Sequence, residues 1–173
     1  MVKNTMEIKL QLNEMFAISR IVDKQPIIGY RAALSKFLHK MLDIKEFSEA
    51  TAQYEEIKIN ESEILKEFVD QRQELSNKIK KTESNKITPE LQEELNRLNV
   101  QITQKIQEKN RDLYSKINAL LDDKSLIYNF QFDELLIKSI TNIVESEQTT
   151  QDLGVEEPII KLIIDVYIKL QEK

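Results

Sequence analysis

Residues 84–120 read SNKITPELQEELNRLNVQITQKIQEKNRDLYSKINAL, and this stretch decides the fold. Its first six residues are mostly polar and include Pro89, whereas the remainder carries apolar side chains at steps of three and four residues from Leu91 to Leu120. Such steps place side chains on one face of a helix. Thr88 can cap that helix and proline suits its first turn, so we predict a helix from Pro89 to about Asp122.

A second apolar ladder of the same spacing precedes the turn and runs from Tyr30 to Ile79. Two helices with such stripes, joined by a short turn, pack as an antiparallel coiled-coil hairpin. Asn60 with an acidic residue three positions later is typical of a helix start, so the pattern leaves open whether the first helix is continuous at Asn60. If the turn is tight, the numbers of facing residues add to about 170.

The segments outside the hairpin predict short strands and further helices. Residues 6–12 and 126–132 alternate apolar and polar side chains, and we expect these two strands to pair because either alone would leave its backbone groups unsatisfied. Asn13 can cap a helix that extends to about Lys24, before a break at residues 25–29. Asp133 can cap a segment of open type, a loop follows over residues 146–152, and a last helix begins at residues 156–158.

Together these elements predict a mainly α fold with a small two-stranded β element. The chain has 173 residues, only 2 glycines and 3 prolines, and 32% charged residues, which favours long helices. We expect a helical base formed by residues 1–49 and 122–173. From this base an antiparallel coiled-coil hairpin of residues 50–121 is expected to protrude, with its tip at residues 82–89.

Composition argues against several classes of function. The net charge of −5 argues against nucleic-acid binding, and the absence of cysteine removes disulfides and thiolate chemistry. His39 is the only histidine, the adjacent acidic pairs point to different sides of their helices, and no glycine-rich phosphate loop is present. We therefore expect a non-enzymatic protein with no catalytic or metal-binding residues, no cofactor and no small-molecule substrate. Without an apolar run of roughly 20 residues or a signal peptide, we also expect no membrane segment and a cytoplasmic location.

The C-terminal helix carries the strongest candidate interaction surface. Its polar residues Lys161, Asp165 and Lys169 recur every four positions, and nearly all other positions are apolar. A helix that is apolar around most of its circumference is buried around most of it. Two interpretations remain open: a central helix of the base, or an interface formed by Ile160, Ile164, Tyr167 and Ile168 with a protein partner or a second copy.

Charged residues within the hairpin form two further groups. Glu61, Lys109 and Arg72 fall on or near the apolar stripes, where polar residues commonly fix the register of a coiled coil, and we expect Glu61 to face Lys109. Lys78, Lys80, Lys81 and Lys86 give the tip a basic character. This basic tip is either simply solvated or a docking point for an acidic partner.

Segments at both ends resemble a family of small uncharacterised helical proteins encoded by tailed bacteriophages. The resemblance rests on short stretches at residues 7–10 (EIKL), 12–14 (LNE), 30–34 (YRAAL), 47–50 (FSEA) and 132–135 (FDEL), together with the last helix from Pro158. The region from about Asn60 to Arg111 departs from the family as an enlarged insertion. The resemblance implies a phage gene product located in the host cytoplasm or the virion, and it assigns no activity to any residue.

The sequence thus predicts an interaction or structural protein, most simply a phage-encoded virion or assembly component. Two alternatives remain. One is a chaperone or adaptor that exposes apolar grooves on its helical hairpin, and the other is an inhibitor of a host enzyme whose acidic surface imitates nucleic acid.

Overall fold

The computed structural model describes residues 4–82, 86–146 and 155–172, which fold into seven α-helices and one two-stranded sheet. The chain divides into two compact units. One unit, here called the α/β unit, contains the chain up to Ala50 and from Ala119 onward. The other, the hairpin unit, is formed by Thr51–Asn118. The mainly α fold with a small β element is therefore confirmed.

The sheet pairs strand β1 (Met6–Gln11) with strand β2 (Ile127–Phe132) in antiparallel orientation, which confirms the predicted pairing of the two segments. The register places Ile8 opposite Phe130 and Leu10 opposite Tyr128. Because successive side chains of a strand alternate between faces, this register gathers the apolar side chains other than Ile127 on one face of the sheet. That face lies over the core, and the polar residues between them are exposed.

Helix α1 (Leu12–Ile21) begins directly after β1, and a single 3₁₀ turn (Val22–Lys24) ends this segment. The prediction that Asn13 caps the helix is wrong, since Gln11 is the capping residue and Asn13 lies within the first turn. The reason is the Glu14 carboxylate, which accepts a hydrogen bond from the Gln11 backbone N–H at 2.8 Å and so places the helix start two residues earlier.

The first long ladder forms three helices instead of one, and at Asn60, where the sequence left continuity open, the helix is unbroken. These are α2 (Ile28–Leu42), α3 (Lys45–Glu67) and α4 (Val69–Lys80). The chain turns at residues 43–44 and at Phe68, whose backbone dihedral angles of −103° and 5° are not helical. Asn60 does not start a helix because its side chain bonds to the facing helix instead of to the local backbone.

The remaining helices begin where capping residues predicted them. Helix α5 spans Pro89–Asp122, and the Thr88 hydroxyl accepts a hydrogen bond from the Leu91 N–H. Helix α6 spans Glu134–Glu145, and the Asp133 carboxylate accepts one from the Leu136 N–H at 2.8 Å. Helix α7 spans Glu157–Gln171, with Pro158 in its first turn. The predicted loop at residues 146–152 lies outside the described residues except for Ser146, and so do residues 83–85 of the predicted tip.

The core of the α/β unit lies between the sheet and helices α1, α2, α6 and α7. The Phe37 ring of α2 contacts Phe130 and Phe132 edge to face, at centroid distances of 4.9 and 5.0 Å. The break before α2 is fixed by buried Gln25, whose side-chain amide donates to the Ser139 carbonyl at 2.8 Å. A buried amide needs such a partner, so this bond ties the break to α6.

The hairpin unit has its own smaller core. Its buried members are Ile64, Phe68 and Leu75 on one side and Leu98 and Ile102 on the other. Across the two arms, Lys78 pairs with Glu94 at 3.4 Å, and Asn60 bonds to Asn110 at 2.7 Å. The numbers of these facing residues agree with the predicted alignment of the arms.

Tyr128 provides a pH-dependent test of the α/β unit. Its hydroxyl donates to the Glu46 carboxylate at 3.0 Å, and burial, followed by this bond, raises the pKa of Tyr128 from 10.0 to about 12. The folded state therefore holds the phenolic proton more tightly than the unfolded state does. The resulting stabilisation should be complete below pH 10 and should be lost as the pH rises through 12. An ultraviolet titration of phenolate should show one late-titrating group fewer in Tyr128→Phe than in the wild-type protein, and an unchanged number of such groups would contradict this assignment.

Candidate interaction surfaces

Helix α7 presents two apolar faces. Ile163, Val166 and Leu170 are buried in the core of the α/β unit. On a second side Ile160, Ile164 and Ile168 follow one another at four-residue intervals; Ile160 is half-buried, and Ile164 and Ile168 keep 39% and 46% of their surface exposed. The predicted core role holds for the buried face, and the predicted interface concerns the second face. We call these three isoleucines the outer stripe.

Tyr167, the fourth candidate interface residue, is tied within its own unit. Its hydroxyl donates to the Glu145 carboxylate at 2.7 Å, joining α7 to the end of α6. This bond is the main cause that raises the pKa of Tyr167. Tyr167 therefore borders the outer stripe as a partly buried residue that fixes the position of α7.

The polar residues of α7 separate into two solvated side chains and one internal ion pair. Lys161 and Asp165 are exposed. Lys169 instead places its ammonium 2.6 and 2.7 Å from the two oxygens of Glu14 and 3.1 Å from the Lys9 carbonyl oxygen. The Glu14 side chain is only 7% exposed, so its charge is balanced by this one lysine.

The charged residues expected to set the hairpin register have different partners from those predicted. Lys109 donates to Glu63 at 2.8 Å, and Glu61 accepts a hydrogen bond from the Tyr114 hydroxyl at 3.5 Å. The acidic partner of Lys109 is therefore Glu63, two residues further along the helix than the predicted Glu61. Glu63 lies on the exposed flank of the helix, where the lysine can reach it while its ammonium remains in water. Hydrogen bonding to Lys109 lowers the pKa of Glu63. Arg72 is exposed and is not part of the hairpin core.

The polar pair inside the hairpin is Asn60 with Asn110, which the sequence reasoning missed. Asn110 is fully buried, and its side-chain oxygen accepts a hydrogen bond from the Asn60 amide at 2.7 Å. A signal was present, since Asn110 falls on the second ladder between Ile106 and Leu113, where an apolar residue would complete the spacing. In the described part of the chain the Asn110 amide nitrogen meets no acceptor. An alignment of the two arms that separated Asn60 from Asn110 would leave the buried Asn110 side chain without a hydrogen bond. Such an alignment would therefore be costly.

The four tip lysines do not form one uniform basic surface. Lys78 is held by Glu94 at 3.4 Å and by Glu74 at 3.7 Å, so its charge is largely balanced by neighbours. Lys80, Lys81 and Lys86 are exposed. The basic character of the tip therefore rests on these three lysines.

The described residues show few features of a reaction centre. Among residues 4–82, 86–146 and 155–172, no three His, Cys, Asp or Glu side chains lie close enough to hold a metal ion. His39 is exposed on α2. In the same ranges no helix combines the length and apolarity required to cross a membrane.

No protein-family model matches the chain, and no curated protein or solved structure does. The surfaces of α7 and of the hairpin unit are therefore the basis for proposing a function.

The Asn60–Asn110 pair should show strong coupling in stability measurements. Asn60→Leu leaves the buried Asn110 amide without a partner and should cost about 1–3 kcal/mol, whereas replacing both asparagines by leucine should recover most of that loss. Urea denaturation of the two single variants and the double variant measures the coupling, with exposed Asn99→Leu as a control. Strictly additive losses would mean that the two amides do not interact.

The Glu14–Lys169 pair should matter more to stability than exposed pairs do. Lys169→Met leaves a buried carboxylate uncompensated and should cost about 2–4 kcal/mol. The matched control is Lys138→Met, which breaks the exposed pair of Lys138 with Glu134 and should cost at most about 0.5 kcal/mol. Thermal unfolding compares the two variants, and equal losses would contradict the structural role of Lys169.

Proposed function

We propose that this protein is a non-enzymatic interaction protein that self-associates through the outer stripe of α7. The observation that carries the proposal is the apolar outer stripe on a helix that already buries another face in the core. Isolated exposed apolar residues are common, but three isoleucines repeated at one-turn intervals form a continuous apolar edge.

A second copy of the chain fits this stripe because the charged residues beside the stripe can pair with those of the other copy. When two α7 helices pack antiparallel about Ile164, Ile160 of one copy lies opposite Ile168 of the other. The same packing brings Lys161 of one copy beside Asp165 of the other, with opposite charges. A twofold interface requires such self-complementarity. Neither Lys161 nor Asp165 has an ion-pair partner within the described part of its own chain, so both charges are available.

The size of the stripe predicts a weak dimer. A stable protein interface buries about 800 Å² on each partner, more than three isoleucines provide. A dimer with so small an interface should be weak and should dissociate on dilution.

The resemblance of residues 7–50 and of the last 40 or so residues to phage-encoded helical proteins supports a role as a virion or assembly component in the host cytoplasm or the virion. Mass spectrometry of purified virions of the encoding phage tests that role. Detection at a stoichiometric level relative to the major structural proteins supports a virion component. Absence from virions would restrict the protein to assembly or to another function.

Self-association has a direct test. Sedimentation velocity at tens of micromolar should show a dimer for the wild-type protein and a monomer for Ile164→Glu/Ile168→Glu, because the substitution places four carboxylates in one apolar interface.

The control is Ile59→Glu, which introduces one carboxylate per chain, against two in the test variant, at a residue that is 59% exposed in the hairpin unit. This variant should remain dimeric. A monomeric wild-type protein, or loss of the dimer in the control alone, would contradict the proposed role of the outer stripe.

A further inference from the structure

The hydrogen bonds of β1 reveal which backbone groups of the sheet point outward. The Gln11 N–H donates to Glu14 at 2.8 Å, and the Lys9 carbonyl accepts from Lys169 at 3.1 Å. In an antiparallel pair, residues alternate between bonding across the pair and directing both backbone groups away from it. Lys9 and Gln11 belong to the second kind. Their register partners Asn129 and Ile127 must then also direct N–H and C=O outward, along the opposite edge of the sheet.

The two edges of the sheet differ in how they are protected. At the edge of β1, Glu14 and Lys169 bond to two of the outward groups, the Gln11 N–H and the Lys9 carbonyl. Along β2, the outward groups of Ile127, Asn129 and Gln131 have no partner within the described part of the chain, and all three residues are exposed. Residues 125–132 contain no charged side chain and no proline, the usual means by which proteins block an open edge.

A groove of about 240 Å³ lies beside this open edge, between Gln131 and helix α2. Its apolar lining includes Ala33 and the buried side chains of Phe37 and Leu136. Lys36 and Lys40, one turn apart on α2, also line it. Both lysines are exposed, and neither has an ion-pair partner in the described ranges. Asp133, the acidic residue of this lining, is engaged in capping α6.

We infer that the open edge of β2 and the groove beside α2 bind an extended acidic segment of a partner protein as a third strand. Main-chain hydrogen bonds to Ile127, Asn129 and Gln131 would supply affinity, as in other cases of strand addition. Alternate apolar side chains of the segment would enter the groove, and its carboxylates would meet Lys36 and Lys40. This surface is separate from the outer stripe of α7, so the inference does not depend on the proposed self-association.

The probe is a fluorescein-labelled nonapeptide of alternating valine and glutamate, and its twin has lysine in place of glutamate. Fluorescence anisotropy with the full chain should show saturable binding of the acidic peptide and about tenfold weaker binding of the twin. Lys36→Glu/Lys40→Glu should invert this preference. Both substitutions lie on the exposed side of α2 and should not disturb folding. This variant therefore tests the inference even if substitutions in the sheet impair folding.

The backbone requirement is tested with Asn129→Pro and Asn129→Ala. Proline removes the outward N–H of Asn129 without removing a bond between β1 and β2, and it should weaken peptide binding about tenfold, whereas alanine retains the N–H and should bind as the wild type does. Circular dichroism melts check that both variants are folded. Ile164→Glu/Ile168→Glu should bind the peptide normally, which separates this surface from self-association.

Three results would overturn the inference: no saturable binding of the acidic peptide, equal binding of the two peptides, or equal binding by folded Asn129→Pro and Asn129→Ala. A wild-type dimer that dissociates in Asn129→Pro but persists in Ile164→Glu/Ile168→Glu would also overturn it. In that case a second copy occupies the edge of β2.

Discussion

One carboxylate, that of Glu14, joins the beginning of the chain to its end. It accepts a hydrogen bond from the Gln11 backbone at the start of α1 and two from the Lys169 ammonium near the end of α7. Lys169 in turn bonds to the backbone of β1. Burial of a carboxylate costs several kcal/mol unless it is paired and hydrogen-bonded, so the position of α7 against β1 and α1 is narrowly defined. The orientation of the outer stripe and the covered edge of β1 both follow from that position.

Local patterns in the sequence predicted the elements that depend on local physics. The alternation in residues 6–12 and 126–132 predicted two strands, and the need to satisfy their backbone groups predicted that they pair. Thr88, Pro89 and Asp133 marked the starts of α5 and α6 because a helix start needs a side-chain acceptor or tolerates a missing donor. The even spacing of the ladders predicted the hairpin and its alignment.

Features that depend on distant partners could not be predicted in this way. Asn60 has the local features of a cap, but it bonds to Asn110, fifty residues away. The four-residue spacing of Lys169 from Asp165 and Lys161 suggests that all three are solvated. Lys169 instead pairs with Glu14, which lies 155 residues away along the chain. The exposed edge of β2 likewise becomes visible only when the bonds of β1 are known. Each of these polar groups has several plausible partners in a sequence, and packing selects one of them.

The interruption at Phe68 has a consequence for how the hairpin unit opens. Its non-helical backbone separates α3 from α4, while its side chain remains in the hairpin core, beneath the Lys105 ammonium at 5.4 Å from the ring centroid. Helical cooperativity depends on an unbroken ladder of backbone bonds, so α3 and α4 need not unfold as one element. Helix α4 can therefore exchange its amide hydrogens in a local opening while α3 stays folded. Phe68 marks the boundary between a labile and a protected segment of the same arm.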